Sequence, residues 1–271
     1  MRLKIGHTTR YAFSHPVVHG LQRLRLTPKN TQGQKVLDWD MWLSGAAFEV
    51  EYDDHHHNLT TLISVEPGAS HVEVHCEGVV VTADNNGVVG AHSGSMPLWA
   101  FAEQSVLTRP GARMRGLLAQ IGAARGDRLA VLHDLSRLIL ETVRYAPGET
   151  QVHTSAEEAA ALGVGVCQDH AHIFIGAARA LGVPARYVSG YLMMDDRTEQ
   201  EAGHAWAEAH VEHLGWVGFD ISNGISPDER YVRVATGRDY REAAPVTGMS
   251  WGPGESLLEV RLAVEQQASE Q

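Results

Sequence analysis

Up to about residue 83, apolar and polar side chains alternate with a period of two. Short runs rich in β-branched and aromatic residues are separated by turn-forming segments at 27–30, 66–68 and 84–87. The pattern predicts six or seven antiparallel strands, over residues 2–13, 20–26, 34–43, 47–52, 59–65 and 71–81. We therefore expect an antiparallel all-β domain over residues 1–95. It holds no set of nucleophile, base and orienting acid, so a structural or substrate-gating role is expected.

The hydrophobic period becomes helical in the middle of the chain. Asp127 caps a predicted helix that ends at the Pro147–Gly148 break and buries a stripe of Leu132, Leu135, Ile139 and Val143. A second helix opens near Ser155, and a third begins at Cys167 and stops at Gly182. Strands are predicted after it, over residues 185–192, 204–211, 216–220, 231–234 and 257–264. Helices followed by an antiparallel sheet indicate an α+β domain over residues 96–271.

Composition narrows the class of partner. The chain has 271 residues, of which 44% are hydrophobic, so it is long enough to form a sizeable core. A formal net charge of −11 argues against a nucleic-acid partner, and small molecules or peptides are expected instead. No run approaches the roughly 20 apolar residues of a membrane span, and the N-terminus lacks the apolar core of a signal peptide. We expect a cytoplasmic protein without a membrane partner, whose oligomeric state the sequence leaves open.

The two cysteines, Cys76 and Cys167, fall in segments that read as different domains, so no disulfide framework is indicated. Cys167 follows a glycine-containing turn and begins a predicted helix. Unpaired backbone N–H groups and the helix dipole stabilise a thiolate at such a position, and the same groups can hold an oxyanion. The alternative is a buried structural cysteine. The glycines ahead of it and the polar neighbours Gln168 and Asp169 favour a catalytic nucleophile.

A base and an orienting acid follow in the chain. On the strand that starts at His204, side chains 204, 206, 208 and 210 share one face, and this large polar face is expected to look toward the cysteine. Asp220 ends the next strand, where a tight turn brings it beside His204. Cys167, His204 and Asp220 thus form a candidate triad. The alternative role for Asp220 is to cap the turn at 220–224.

Three further residues are candidate oxyanion or substrate contacts: Tyr145, Gln168 and Trp206. For Tyr145, a position in the core is an equal alternative. The run at 53–57, which contains three consecutive histidines, suggests metal binding, but consecutive side chains point in different directions, so a solvated loop is favoured. His170 and His172 are two apart on a helix and do not share a face as zinc ligands at i and i+4 do. No metal and no cofactor are expected.

Four motifs together resemble the core of the transglutaminase-like superfamily, in its bacterial branch with a β-rich N-terminal domain: GVCQDHAH at 165–172, ARYVSGY at 185–191, GHAW at 203–206 and WVGFD at 216–220. The resemblance covers nearly the whole chain and implies a papain-like triad of Cys167, His204 and Asp220. Ile221 and Ser222 depart from the Pro-Thr that often follows the aspartate in relatives.

The triad alone leaves several functions open. Attack of the cysteine on an amide gives a thioester, which water hydrolyses in a protease or amidase and an amine captures in a transglutaminase. Hydrolysis of a peptide or small amide substrate is favoured, because water is the default acceptor and no second amine site is evident. A non-catalytic binding scaffold is the third alternative, although such a protein is expected to have lost a triad residue.

Overall fold

The computed structural model describes residues 1–121, 127–251 and 255–267. Six strands come first, close to the predicted runs: β1 (Arg2–Phe13), β2 (His19–Leu24), β3 (Gln34–Ser44), β4 (Ala46–Asp53), β5 (Leu59–Val65) and β6 (His71–Thr82). In β1 the residues from Leu3 to Thr9 alternate between buried and half-buried, as the period of two predicts.

Helices dominate the middle of the chain. After β7 (Val88–Gly90) and a 3₁₀ helix (Leu98–Ala102) come α1 (Ala112–Ile121), α2 (Arg128–Thr142), β8 (Arg144–Tyr145), α3 (Ala156–Leu162), β9 (Val164–Gly165) and α4 (Cys167–Ala180). Asp127 accepts a hydrogen bond from the N–H of Leu129 and caps α2, and Ser155 caps α3 with Glu158 in a reciprocal capping box. The helix starts at 127, 155 and 167 agree with prediction, whereas the 3₁₀ helix and α1 were not predicted.

The last part of the chain is mostly extended: β10 (Ala185–Leu192), β11 (Glu199–Gln200), β12 (His204–Val211), β13 (Gly215–Phe219), β14 (Tyr231–Gly237), α5 (Tyr240–Ala243), β15 (Val246–Trp251) and β16 (Ser256–Gln266). Within the described residues, no helix is both long enough and apolar enough to cross a bilayer. An α+β core together with antiparallel sheets from the N-terminal region confirms the predicted fold class.

Among the described residues, three larger sheets hold all the strands except β8 and β9. One has the order β11-β16-β1-β6-β3 and a second has the order β15-β2-β5-β4; strands β1 to β6 with β15 and β16 are called the β module below. The third, called the core sheet, has the order β14-β10-β12-β13-β7, and every pairing within it is antiparallel. A short parallel pair of β8 and β9 lies at the entrance to α4.

The strands do not follow the predicted division into residues 1–95 and 96–271. The C-terminal strand β16, predicted as part of the α+β domain, pairs with β1 from Leu3 to Phe13, and β15 pairs with β2. In the other direction, β7 belongs to the core sheet because it pairs with β13. Local alternation identifies a strand but does not say which strand it pairs with, so the sheets do not follow the predicted boundary, and the division into two domains stays a prediction.

Helix α4 packs on the small face of β12. Ala205, Ala207 and Ala209 contribute to one buried cluster with α4 residues such as Ala171 and Phe174. Small side chains let the helix lie close to the sheet, so the position of Cys167 is set by packing along the whole of α4. A second buried cluster joins the β module to the core sheet, through Leu3, Ile5, Val80, Tyr191, Val232, Val234, Leu262 and Val264.

Candidate active site

Cys167 is the first residue of α4 and is partly buried. The chain reaches it through a sharp turn: Gly163 ends α3 in the left-handed region (φ 69°), where glycine carries no steric penalty. At Gly165, a Cβ atom would lie 2.7 Å from the Cβ of Asp169, so a larger residue would push against the first turn of α4. Gly163 and Gly165 therefore allow the backbone to turn sharply into α4.

Asp169 fixes the start of this helix. Its Oδ2 accepts hydrogen bonds from the N–H of Val166 (2.8 Å) and from the hydroxyl of Thr150 (2.7 Å). The side chain is buried, and burial raises the pKa of Asp169 against the opposing effect of these hydrogen bonds. Asp169 thus fixes the backbone at Val166, the residue before Cys167, and joins the loop that contains Thr150 to the N-terminus of α4.

His204 and Asp220 are in direct contact. The His204 ring is held by a 2.6 Å hydrogen bond between its Nε2 and Oδ2 of Asp220, which leaves Nδ1 for Cys167. Burial acts to lower the pKa of His204, but hydrogen bonds with Asp220 and Cys167 outweigh it and raise the pKa to about 10. The three residues selected from the sequence are therefore neighbours, and the contacts favour a protonated imidazole at neutral pH.

Asp220 accepts more hydrogen bonds than the histidine supplies. The hydroxyl of Tyr231 and the side-chain amide of Asn223 each donate to Oδ2 at 2.7 Å, and the N–H of Asn223 donates to Oδ1 at 3.2 Å. Burial raises the pKa of Asp220, but the hydrogen bonds with His204, Tyr231 and Asn223 outweigh it, and the net pKa is lowered. Asp220 thus bonds both to His204 and to the turn that follows it, so the contacts expected for an orienting acid and for a turn cap occur together.

Tyr231 and Asn223 are site residues that the sequence did not reveal. Asn223 belongs to the turn directly after Asp220, where an asparagine is a usual turn residue, so its position gave a weak signal. Tyr231 lies at the start of β14 and reaches Asp220 because β14 pairs with β10 in the core sheet. That arrangement has no local signature.

The two histidines of α4 point to different partners. His170 contacts the hydroxyl of Ser222 through Nδ1 (2.8 Å) and the carbonyl of Val143 through Nε2 (2.9 Å). His172 accepts the N–H of Tyr240 at 3.1 Å. Ser222, one of the two residues that depart from the family pattern after the aspartate, therefore links the Asp220 turn to α4.

The three other candidates differ in their relation to the site. Gln168 lines the same cleft as Cys167, and its side-chain amide donates to the carbonyl of Val152 at 2.9 Å. Tyr145 is 48% exposed and lies edge-on to His170, so it is not a core aromatic. Trp206 is buried against Tyr231 and His204 and does not line the cleft.

The face of β12 that carries Trp206 was expected to look toward the cysteine, and this expectation does not hold for Trp206. Trp206 and Glu208 on this face are buried, and Oε2 of Glu208 accepts hydrogen bonds from Arg186 and Arg233, both at 2.7 Å. The guanidinium of Arg186 also lies 3.9 Å from the ring centre of Trp216. Of the side chains on this face, only His204 lines the cleft with Cys167, and α4 packs against the alanines on the opposite face.

The histidine run was expected to be a solvated loop, and this is wrong for His56. Its ring is buried and its Nε2 lies 2.8 Å from Oε2 of Glu242. Arg238 donates to the other oxygen of Glu242. Ligand-type atoms of His55, His56 and Glu242 lie within 4.8 Å of one another, and the His56–Glu242 hydrogen bond joins the loop after β4 to the segment after β14.

Cys167 and His204 open onto a cleft of 290 Å³. One wall belongs to the core, with Tyr187, the segment from Ser189 to Tyr191, and Tyr240. The other wall belongs to the β module, with β1 residues His7, Thr9 and Tyr11 and β16 residues Leu258 and Val260. The β module thus forms part of the site itself, in addition to its packing on the core.

Comparison with known proteins agrees with this architecture. The model of the transglutaminase-like superfamily matches residues 115–221, and that of the bacterial transglutaminase-like N-terminal region matches residues 3–81. An uncharacterized protein of Mycobacterium leprae is 29% identical over 276 residues, which cover 96% of both chains. An uncharacterized protein of Mycobacterium tuberculosis is 27% identical over 292 residues, which cover 97% of this chain and 92% of the relative.

A solved structure shares the fold. The crystal structure of "a Putative Cysteine Protease" from Cytophaga hutchinsonii superposes with a TM-score of 0.79 at 22% identity, and covers 100% of this chain and 92% of its own. Because the superposition covers the whole chain, it includes both the β module and the core sheet with its helices. The chain therefore belongs to the transglutaminase-like superfamily, with a transglutaminase-like core joined to a bacterial transglutaminase-like N-terminal region.

Proposed function

We propose that the protein is a cysteine-dependent hydrolase of peptide or other amide bonds, with Cys167 as nucleophile, His204 as general base and acid, and Asp220 as the residue that orients the imidazole. Membership of the superfamily supports a cysteine-dependent enzyme at the level of the family. The observation that carries the proposal is the 2.6 Å contact between Nε2 of His204 and Asp220, made beside a cysteine at a helix N-terminus.

The proposed reaction begins with a thiolate on Cys167 and a proton on His204. The thiolate attacks the amide carbon, and the carbonyl electron pair moves onto oxygen, which first-turn N–H groups of α4 stabilise. When the adduct collapses, the C–N bond breaks and His204 gives its proton to the departing nitrogen. The product of this half-reaction is a thioester on Cys167 and free ammonia or amine.

Water completes the proposed cycle. Neutral His204 takes a proton from water as its oxygen attacks the thioester carbon, and the C–S bond then breaks. The acid leaves, and the thiolate and imidazolium are restored. Among the described residues that line the cleft, no second site for an amine is evident, so water is the default acceptor. The name given to the C. hutchinsonii structure points the same way.

The test compares labelling and turnover in the wild type, C167A and C76A. Iodoacetamide at pH 6 to 7 is expected to alkylate Cys167 rapidly and to spare Cys76, because Cys76 is fully buried and burial raises its pKa to about 12. A panel of amides is then incubated with and without an added primary amine, and products are identified by mass. C76A should keep the activity of the wild type and C167A should lose it.

Product identity decides between the alternatives. A free acid formed at the same rate in the presence of amine supports the hydrolase. A new amide that contains the added amine would show instead that the protein is a transferase. If Cys167 labels no faster than Cys76, the nucleophile assignment is wrong and a binding scaffold is the better description.

A further inference from the structure

The β module contributes an unfilled apolar wall to the catalytic cleft. On β1, Leu3 and Ile5 pack in the cluster that joins the β module to the core sheet. The next residues on the same face, His7, Thr9 and Tyr11, line the cleft instead. The two layers are thus packed together at one end of β1 and separate toward the other, where Cys167 and His204 lie.

Strand β16, which is antiparallel to β1, also has residues in the buried cluster at one end and residues in the cleft at the other. Leu262 and Val264 are buried in the cluster with Leu3 and Ile5, whereas Val260 and Leu258 line the cleft. Leu258 is 51% exposed and sits directly across from Tyr11 in the antiparallel register. A leucine beside a reactive centre with half its surface exposed offers apolar area that a bound ligand removes from water.

The lining combines apolar side chains with neutral polar ones, apart from the candidate catalytic pair. The described residues around the cleft include no Asp, Glu, Lys or Arg, and its apolar members are Tyr11, Leu26, Tyr240, Val246, Leu258 and Val260, among others. His7 is hydrogen-bonded to Tyr191 and Thr9, and burial lowers its pKa to about 4, so it is neutral at physiological pH. Cys167 and His204 at the reacting end are the exception, and away from them a charged group placed against this wall loses its hydration without gaining an ionic partner.

We propose that this wall, formed by Tyr11 on β1 and by Leu258 and Val260 on β16, is a binding subsite for an aromatic or branched aliphatic group next to the scissile amide. The substrates are therefore amides with an uncharged apolar neighbour to the reacting carbonyl, and charged neighbours are rejected. The cleft volume of 290 Å³ lies near the lower end of the ~300 to 1,000 Å³ typical of small-ligand sites, which suits a short stretch of substrate. The inference rests on the proposed function for the identity of the reacting group.

The experiment compares alkylation of Cys167 by iodoacetamide and by N-benzyl iodoacetamide, each rate divided by that of free cysteine. In the wild type the benzyl reagent should react about tenfold faster on this relative scale. L258R should reduce the ratio to near one while iodoacetamide itself still reacts. L257R is the matched control, because Leu257 is 73% exposed and neighbours Leu258 on β16 but does not line the cleft. Y11A is a second cleft variant that introduces no charge.

A non-reactive ligand separates this inference from the nucleophile assignment. N-benzylacetamide should raise the unfolding temperature of the wild type and L257R but not of L258R. If Cys167 fails to label while that pattern is seen, the proposed function is wrong and the subsite stands. If Cys167 labels but the ratio is near one in the wild type, or falls equally in L257R and L258R, the subsite is wrong.

Discussion

The carboxylate of Asp220 accepts hydrogen bonds from His204, Tyr231 and Asn223, and these partners differ in their response to pH. His204 in the folded protein has a pKa of about 10, above its ordinary 6.5. Its stabilising contribution is therefore fully present below about pH 6.5 and is lost as pH rises toward 10. The pKa of Asp220 is lowered below 3.8, so this carboxylate stays ionised throughout that window.

We therefore expect D220N to lower the free energy of unfolding more at pH 6 than at pH 10, because the mutation removes the anion that holds the proton on His204. Y231F is the matched control. It removes a hydrogen bond to the same carboxylate from a hydroxyl whose pKa is raised above its ordinary 10, so its cost should be the same at pH 6 and pH 8 and only slightly smaller at pH 10. Urea unfolding at pH 6, 8 and 10 measures both differences. A D220N effect that is constant with pH would contradict a charged His204–Asp220 pair.

Helix α4 carries Cys167 at one end, and its packing sets where the sulfur lies. Gly176 faces the chain before α1: a Cβ at this position would overlap the carbonyl oxygen of Thr108 and meet Met114 at 2.9 Å. Gly116 on α1 is the opposite case, with no atom within 4 Å of a Cβ. The two helical glycines therefore provide a test in which helix propensity is the same and packing differs.

G176A should destabilise the protein by about 1 to 3 kcal/mol, because the added methyl group forces α4 away from its neighbour. G116A should stabilise it by about 0.5 to 1 kcal/mol, the usual gain when glycine is replaced by alanine within a helix. Chemical unfolding measures both, and iodoacetamide labelling of Cys167 in G176A reports whether the helix has shifted. Equal effects of the two substitutions would show that close packing at Gly176 does not control α4.

Local sequence determined where most elements begin and end. Asp127 and Ser155 are capping residues, and the turn at Gly163 precedes the helix at Cys167, so these starts depend on neighbouring residues and were predictable. The partners of a strand depend on distant residues and were not predictable. The same limit explains the site: Cys167, His204 and Asp220 lie in recognisable motifs, whereas Tyr231 reaches the aspartate and Leu258 reaches the cleft only through sheet pairing.

For the whole chain, the return of β15 and β16 makes the N-terminal strands dependent on the C-terminal ones. A fragment of residues 1–95 lacks both strands, so it leaves one edge of β1 and one edge of β2 unpaired. We expect this fragment to show no cooperative unfolding transition in circular dichroism. A permuted fragment, with residues 245–267 joined ahead of residue 1 by a short linker, should fold, because the N–H of Gln267 already bonds to the carbonyl of Arg2. If residues 1–95 fold alone, that dependence is refuted.

The pairing of β1 with β16 also orders events in time. During synthesis the segment with Cys167, His204 and Asp220 leaves the ribosome before residues 256–266. Until residues 256–266 follow, β1 lacks the strand β16 with which it pairs. A nascent chain that has reached residue 255 has all three reactive side chains but lacks Leu258 and Val260 on the cleft wall. If the protein is the hydrolase proposed above and those residues hold its substrate, the substrate-binding wall is completed only after strand β16 is made, later than the three candidate catalytic residues.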